Sequence, residues 1–381
     1  MAKPFSIDSI TGSRGTSVGV LEYGCTLYSL KVKLANEERD LVIGLDNPAN
    51  HKDSGRGRCF FNQVVGRYAN RLPAGQIAFG RQSGGAQGTL HLSGDDKGVC
   101  LHGGKQGFDT VMWQRLPSVS ECQLFSSKDS SDSDKCQYFI HTQPAGTDGF
   151  PGTLLTEIRV ALDEKQDSPA RIKLVMRARL LNDEQTDVAV GCPVNLTWHV
   201  GYNLANFAQN DDVKSHKLFM NADRTPELDD RMLPTGKLLK IQAGHDLDFY
   251  SRGTRGRTIG ERFPTGGVDH NFVFARVDDE HPQVVLTAPD DAISLSFRTN
   301  QSSVQCYTAG GFDSTAYPRK RVHDPQGRGA YAQYGAVFLE FQHPVATVLH
   351  PDLCKAAGTD TILRHDEVYE NWVEIEINVA E

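Results

Sequence analysis

Apolar residues recur at every second position along much of this chain, a periodicity that belongs to half-buried strands and not to helices. In the run from Arg171 to Leu180, Ile172, Leu174, Met176, Ala178 and Leu180 share one face, while Arg171, Lys173, Arg177 and Arg179 hold the other. The same alternation marks Leu30-Val32-Leu34, Leu154-Thr156-Ile158-Val160-Leu162, Ile293-Leu295-Phe297, Val337-Leu339-Phe341 and Val373-Ile375-Ile377. No convincing 3.6-residue period competes with it. Glycine numbers 36 of 381 residues and charged residues only 23%, which suits many turns better than long solvated helices. Short strands separated by Gly, Pro, Asp and Asn predict an all-β antiparallel sandwich or barrel, because βαβ units would require intervening helices.

The polar patch from Ser126 to Lys135 looks too hydrophilic to pack, and its length suits a hairpin excursion better than an interdomain linker. A second, glycine-rich insertion runs from Ser83 to Thr89. With no internal repeat and no shift in composition, residues 1–381 are expected to form a single domain with a polar insertion near 119–137.

Several function classes are disfavoured. The first residues, MAKPFSIDSITGSRG, lack the apolar segment of a secretory signal, and no run approaches the roughly 18 apolar residues of a membrane span. A cytoplasmic location is expected. Cysteines 25, 59, 100, 122, 136, 192, 306 and 354 are scattered without a CxxC pair, so reduced thiols are expected instead of a zinc site or disulfide scaffold. The sequons Asn195-Leu196-Thr197 and Asn300-Gln301-Ser302 matter only in a secretory path. A net charge of −8 disfavours nucleic acid or anionic membrane as partner, and Arg252, Arg255 and Arg257 read as a solvated loop. Gly103-Gly104-Lys105-Gln106-Gly107 lacks the strand-to-helix setting of a phosphate cradle, and there is no GxSxG elbow. None of the 13 histidines sits in an HxH or HExxH arrangement, and His343 and His350 lie in a proline-containing stretch. No cofactor and no metal is expected.

What remains is a set of polar residues in apolar or glycine-rich settings. Alternation puts Glu340 beside Phe338, on the face opposite Val337, Leu339 and Phe341, where a carboxylate is poorly solvated. Desolvation raises a carboxyl pKa toward the range useful to a base near neutrality. Taken alone, Glu340 reads by default as an exposed glutamate on a solvated strand face. His199, which follows Trp198, reads as a proton donor or as a satisfied structural histidine. His102 precedes two glycines, which let a ligand or another backbone approach closely.

The runs Val65-Gly66-Arg67-Tyr68-Ala69-Asn70-Arg71, Leu101-His102-Gly103-Gly104 with Gly107-Phe108-Asp109 and Trp113, and Asp148-Gly149-Phe150-Pro151-Gly152 resemble those of the aldose 1-epimerases, or galactose mutarotases. The likeness continues in order through Pro193-Val194-Asn195-Leu196-Thr197, Leu233-Pro234-Thr235-Gly236, Asp269-His270-Asn271-Phe272, Gln305-Cys306-Tyr307-Thr308 and Leu339-Glu340-Phe341-Gln342. The resemblance implies the large mutarotase β-sandwich, or supersandwich, and acid–base opening of a sugar ring without a cofactor. It implies Glu340 as the base on the anomeric hydroxyl and His199 as the acid on the ring oxygen. His102 would assist at the ring oxygen, Asn70 and Arg71 would hold hydroxyls, Asp269 would accept from hydroxyls near C2, and Gln305 would line the pocket. The partner would be a free monosaccharide such as galactose or glucose, bound by a monomer or weak homodimer. Because the two proton-transfer groups exchange roles on reclosure, their pKa values should lie close together.

The chain departs from the family pattern in two places. Trp198 and Val200 flank His199 where the family usually has asparagine and serine, which would alter its hydrogen bonding or add a stacking face. Phe341 replaces a threonine and reads as a core substitution. Two alternatives stay open: a hexose-6-phosphate epimerase, which would need a basic pocket, and a non-catalytic sugar-binding protein on the same fold.

Overall fold

The computed structural model describes residues 5–53, 57–80, 87–95, 97–130, 135–165, 168–182, 191–205, 207, 211–277, 280–327 and 329–380. Within them, a nine-stranded sheet runs in the order Gln114–Leu116, Cys136–Gln143, Thr153–Asp163, Ala170–Leu181, Tyr369–Val379, Ile293–Thr299, Val284–Thr287, Lys217–Met220 and Arg257–Thr258. A six-stranded sheet runs Val200–Tyr202, Val337–Gln342, Ser303–Tyr307, Asp269–Phe274, Ala222–Leu228 and Pro234–Lys240. A four-stranded sheet, Ile7–Thr11 through Glu38–Asp40, precedes them in the chain. Neighbours pair antiparallel, as the alternation predicts.

Side-chain parity decides what each strand buries. Ile172, Leu174, Met176, Ala178 and Leu180 join one apolar cluster with Leu295, Ile375, Val304, Leu339 and Phe341, so the inner faces of the two large sheets meet. Phe297 stacks on Phe341 with ring centroids 5.3 Å apart and meets the Tyr202 ring at 5.4 Å. Phe341 is thus a core substitution, as read, and a ring of this kind stabilises a core by about 3–5 kcal/mol relative to alanine. With Val337, Leu339 and Phe341 turned inward, Phe338, Glu340 and Gln342 face away from the sandwich.

Two arginines of the Ala170–Leu181 strand neutralise acidic residues directly across the ladder. Arg171 pairs with Glu376 at 3.0 Å and Arg177 with Glu370 at 2.7 Å, each opposite its partner in register. Exposed pairs of this kind contribute at most about 1 kcal/mol each. The polar insertion does connect two neighbouring strands, Gln114–Leu116 and Cys136–Gln143, as a hairpin excursion should. Beside the polar patch, Phe125 anchors the excursion. Phe125 is buried with Leu116, Tyr138 and Val175 in a separate apolar cluster, the Arg177 guanidinium lies 4.7 Å from its ring, and Asp129 pairs with Arg177 at 2.9 Å. Residues 131–134, and residues 83–86 of the glycine-rich insertion, lie outside the described residues.

Among the described residues there is one α-helix, Pro351–Ala357, opened by Pro351 and closed by Gly358 at φ +72°. It is too short to print a helical period on the sequence. Arg257 corrects the solvated-loop reading: it is buried against the Phe249 ring at 4.0 Å and donates to the Asp248 carbonyl at 2.8 Å. The eight cysteines are free thiols. Asn195 of the first sequon is fully buried.

Candidate active site

Strand ends and turns, far apart in sequence, bring Asn70, Arg71, His102, His199, Asp269, Gln305 and Glu340 around one cavity of about 290 Å³. The Asn70–Arg71 corner and His102 meet where the strand Arg71–Pro73 pairs with Val99–Leu101. Both Asn70 and His102 adopt left-handed backbone, at φ +64° and +50°. The His102 amide donates to the Asn70 carbonyl at 2.9 Å, and the Asn70 amide donates back to His102 Nδ1 at 3.1 Å. A nitrogen that accepts an N–H carries no proton, so the proton of neutral His102 sits on Nε2. Burial and the neighbouring cations hold its pKa well below the usual imidazole range, which keeps this ring a neutral donor.

Register pairing aligns the rest of the site. Gln305 lies opposite Glu340, Asn271 opposite Gln305, and Val200 opposite Leu339, which sets His199 beside Glu340. Nε2 of His199 is 3.2 Å from Oε1 of Glu340. Gln305 Nε2 donates to Asp269 Oδ1 at 2.7 Å, Arg71 Nη1 donates to Asn70 Oδ1 at 3.2 Å, and Arg71 Nη2 stands 4.0 Å from Asp269 Oδ2. These contacts fix the orientation of four polar side chains before any ligand arrives.

Burial dominates the electrostatics. Desolvation, with a smaller contribution from the Asp269 charge, pushes the Glu340 carboxyl up to about 8, and Arg71 only partly opposes this. Desolvation lowers His199 to about 4, partly offset by backbone groups of His199 and Phe60. The two groups therefore do not have the near-equal pKa values expected from their role exchange. Burial places their shared proton on Glu340 in the unliganded protein, because that leaves both groups neutral in an apolar setting.

Ligand-capable atoms of His102, His199 and Glu340 lie within 4.8 Å of one another, close enough for a divalent cation. The tautomer of His102 does not suit one: its Nδ1 is already occupied as an acceptor, so its Nε2 bears a proton where a metal needs a lone pair. The arrangement fits two proton-exchanging groups and a fixed donor better than a metal centre.

Two expectations need correction. Trp198 supplies no stacking face; it is buried on the core side of its strand, with Nε1 donating to the Cys25 carbonyl at 2.9 Å. Val200 is likewise in the core, so neither departure beside His199 faces the cavity. Of the two readings of Gly103 and Gly104, the close approach is to other parts of this chain. A Cβ on Gly103 would fall 2.0 Å from the Gly66 carbonyl oxygen, and one on Gly104 2.6 Å from Asp148 Cγ. Both glycines admit a neighbouring segment of this chain.

Sequence reasoning missed the aromatic wall of Phe60, Tyr307, Phe312, Tyr317 and Phe338. Phe60 lies 4.6 Å from the His102 ring and Phe338 4.8 Å from the His199 ring, and both displace water from the imidazoles. Phe338 was legible from its parity with Glu340. Phe312 and Tyr317 come from the long loop between the strands Ser303–Tyr307 and Val337–Gln342, whose far part is held by buried Lys320, donating to Asp40 Oδ2 and the Val42 carbonyl at 3.0 Å each. A larger cleft of about 620 Å³, lined by Arg14, Val32, Glu164 and Ile377, brings together no comparable set of groups.

A buried carboxyl against an imidazole, with oriented polar side chains beside them, gives this large antiparallel all-β sandwich a pair of groups able to exchange a proton. A sequence profile of the aldose 1-epimerases matches residues 8–376. The chain belongs to the aldose 1-epimerase family. It is 26% identical over 375 residues to the aldose 1-epimerase of Haemophilus influenzae, covering 97% of this chain and 95% of that one. It is 26% identical over 364 residues to the human galactose mutarotase, covering 95% and 91%. The fold is similar to that of an aldose epimerase homologue from C. elegans, with a TM-score of 0.77, 19% identity and coverage of 99% and 100%.

Proposed function

We propose that this protein interconverts the α and β anomers of free hexoses, galactose and glucose first among them. Glu340 takes the proton from the anomeric O1–H, the C1–O1 bond becomes a carbonyl, and the C1–ring-oxygen bond breaks as His199 delivers a proton to the ring oxygen. Rotation about C1–C2 presents the other carbonyl face, and the same two groups run the steps backward for reclosure. Atoms and protons balance without an external oxidant or reductant. The observation that carries this reading is the 3.2 Å contact between His199 Nε2 and Glu340 Oε1 within a cavity lined by hydroxyl-binding groups. That contact is also the route by which the proton resting on Glu340 passes to His199, leaving the carboxylate ready for O1–H. In this reading the Nε2–H of His102 donates to the ring-oxygen side, Asn70 and Arg71 hold hydroxyls, Asp269 accepts from hydroxyls near C2, and Gln305 orients Asp269.

A neutral sugar is supported over a hexose 6-phosphate because Arg71 is the single Lys or Arg among the residues lining the cavity, and it already faces Asp269. One catalytic unit over 1–381 is supported by an apolar cluster that takes residues from Val18 to Ile377. The same reading takes the protein as cytoplasmic and as a monomer or weak homodimer, with no polyanionic partner, the last supported by the net charge of −8. Polarimetry of freshly dissolved α-D-galactose, α-D-glucose and glucose 6-phosphate tests it. Acceleration of the free sugars is expected, and rates no faster than buffer would refute the activity.

A further inference from the structure

Register pairs divide the cavity face of the six-stranded sheet into cross-strand rows. Asn271, Gln305 and Glu340 form one row, which His199 continues. One step deeper, Val273 lies opposite Ser303 and Ser303 opposite Gln342, with Thr197 preceding His199 at the same parity on the neighbouring strand. Successive residues on one strand face are about 7 Å apart, so this second row stands directly behind the first.

The two rows contain buried polar atoms that no group among the described residues satisfies. The Gln342 side chain is fully buried, and neither Oε1 nor Nε2 has a hydrogen-bond partner. Thr197 Oγ1, Asn271 Oδ1 and Glu340 Oε2 are also buried without one. Packing holds these groups in place: Asn271 Nδ2 donates to Ser303 Oγ at 3.2 Å, and that hydroxyl donates to the Gln342 backbone carbonyl at 2.7 Å. Each such group left unmet costs about 1–3 kcal/mol. Folded interiors meet these demands with enclosed water that finds two to four polar partners, and a carboxamide, a hydroxyl, an amide oxygen and a carboxyl oxygen are the groups in want of partners here.

We propose that Gln342 is a positioning residue for Glu340: with Thr197 and Asn271 it holds an enclosed solvent cluster that hydrogen-bonds Oε2, the carboxyl oxygen not engaged by His199. The inference rests on the proton-transfer role given to Glu340 above. Donors at Oε2 fix the plane of the carboxyl group and stabilise its anion at the moment it must accept the O1 proton. The other groups acting on this carboxyl are His199, His102, Arg71 and Asp269, with the Cys306 thiol on the opposite strand face.

Gln342→Met keeps the side-chain length and removes both hydrogen-bonding atoms. It is expected to lower kcat about tenfold with KM within twofold, and to move the alkaline limb of kcat/KM upward because the anion loses donors. Thr197→Val should move that limb the same way by less. A high-resolution crystal structure of the unliganded wild type should show ordered solvent within hydrogen-bond reach of both Oε2 and the Gln342 carboxamide. A dry space with Gln342 bonded to protein groups overturns the proposal, as does an unmoved limb in folded Gln342→Met or, should that variant not fold, in Thr197→Val. An active wild type with a dry space removes the positioning role alone. A wild type that fails to accelerate mutarotation removes the proposed activity, and this role with it, whatever the density shows.

Discussion

Nε2 of His199 and Oε1 of Glu340 stand 3.2 Å apart, and burial acts on the two groups in opposite directions, lifting the carboxyl to about 8 and lowering the imidazole to about 4. Between those values the pair holds one proton, which is the count the reaction needs. The kcat/KM profile should therefore be a bell with an acid limb near 4, where the pair gains a second proton, and an alkaline limb near 8, where it loses its only one. Initial-rate polarimetry across pH measures it, and a profile flat from pH 7 to pH 10 would contradict the assignment.

Glu340→Gln should lower kcat by about 10²–10⁴ and abolish the alkaline limb. Its effect on stability runs the other way. A carboxyl with a raised folded pKa loses stability as pH rises from its unfolded value toward about 8, so the amide should melt higher than wild type at pH 9. Calorimetry at pH 6 and pH 9 separates the two effects. His199→Asn should lose comparable turnover while leaving sugar binding within severalfold, read by calorimetric titration.

Asp269→Asn removes the charge that faces Arg71 and weakens the acceptor of Gln305. Charged hydrogen bonds of this kind are worth about 1.5–3 kcal/mol, so KM should rise roughly tenfold or more while kcat changes less. The same substitution removes a charge that raises Glu340, so the alkaline limb should move down. A rise in kcat loss alone, with KM unchanged, would count against a hydroxyl-binding role.

Acid should destabilise the fold through its buried histidines. His51 and His216 are lowered to about 3, and His141, His323 and His343 to about 4, each by desolvation first. The unfolded chain binds protons at these sites below about 6.5 while the folded chain does not, so stability falls as pH drops from 6.5 toward 4. The slope is about 1.4 kcal/mol per pH unit for each histidine kept neutral. Thermal melts at pH 7, 6 and 5 should show a steepening loss, and an unchanged Tm would refute it.

Phe125→Ala tests whether the polar insertion contributes to the fold. Its ring is 5% exposed and sits under Arg177, so the change should cost about 3 kcal/mol by urea denaturation. Turnover at 25 °C should be unaffected, since the residue does not line the cavity.

Parity made most of the architecture readable. Alternating apolar residues identified the long strands, and the same parity separates Glu340 from Phe341 and His199 from Trp198, so it already contained the correction about Trp198's face. Contacts made by loops left no such period. Phe60, Phe312 and Tyr317 reach the cavity through turns, and nothing in their spacing announces which wall they form. Gly103 was left between two readings and Arg257 misread for a related reason: a glycine's neighbour and an arginine's burial depend on distant segments, here Gly66 and Phe249.

The strand Tyr369–Val379 lies between Ala170–Leu181 and Ile293–Thr299, at the middle of the nine-stranded sheet. During synthesis, both flanking strands leave the ribosome with open edges and must wait for a partner made some seventy to two hundred residues later. Until then the growing chain carries two adhesive borders, and the sheet cannot close until its C-terminal strand is made.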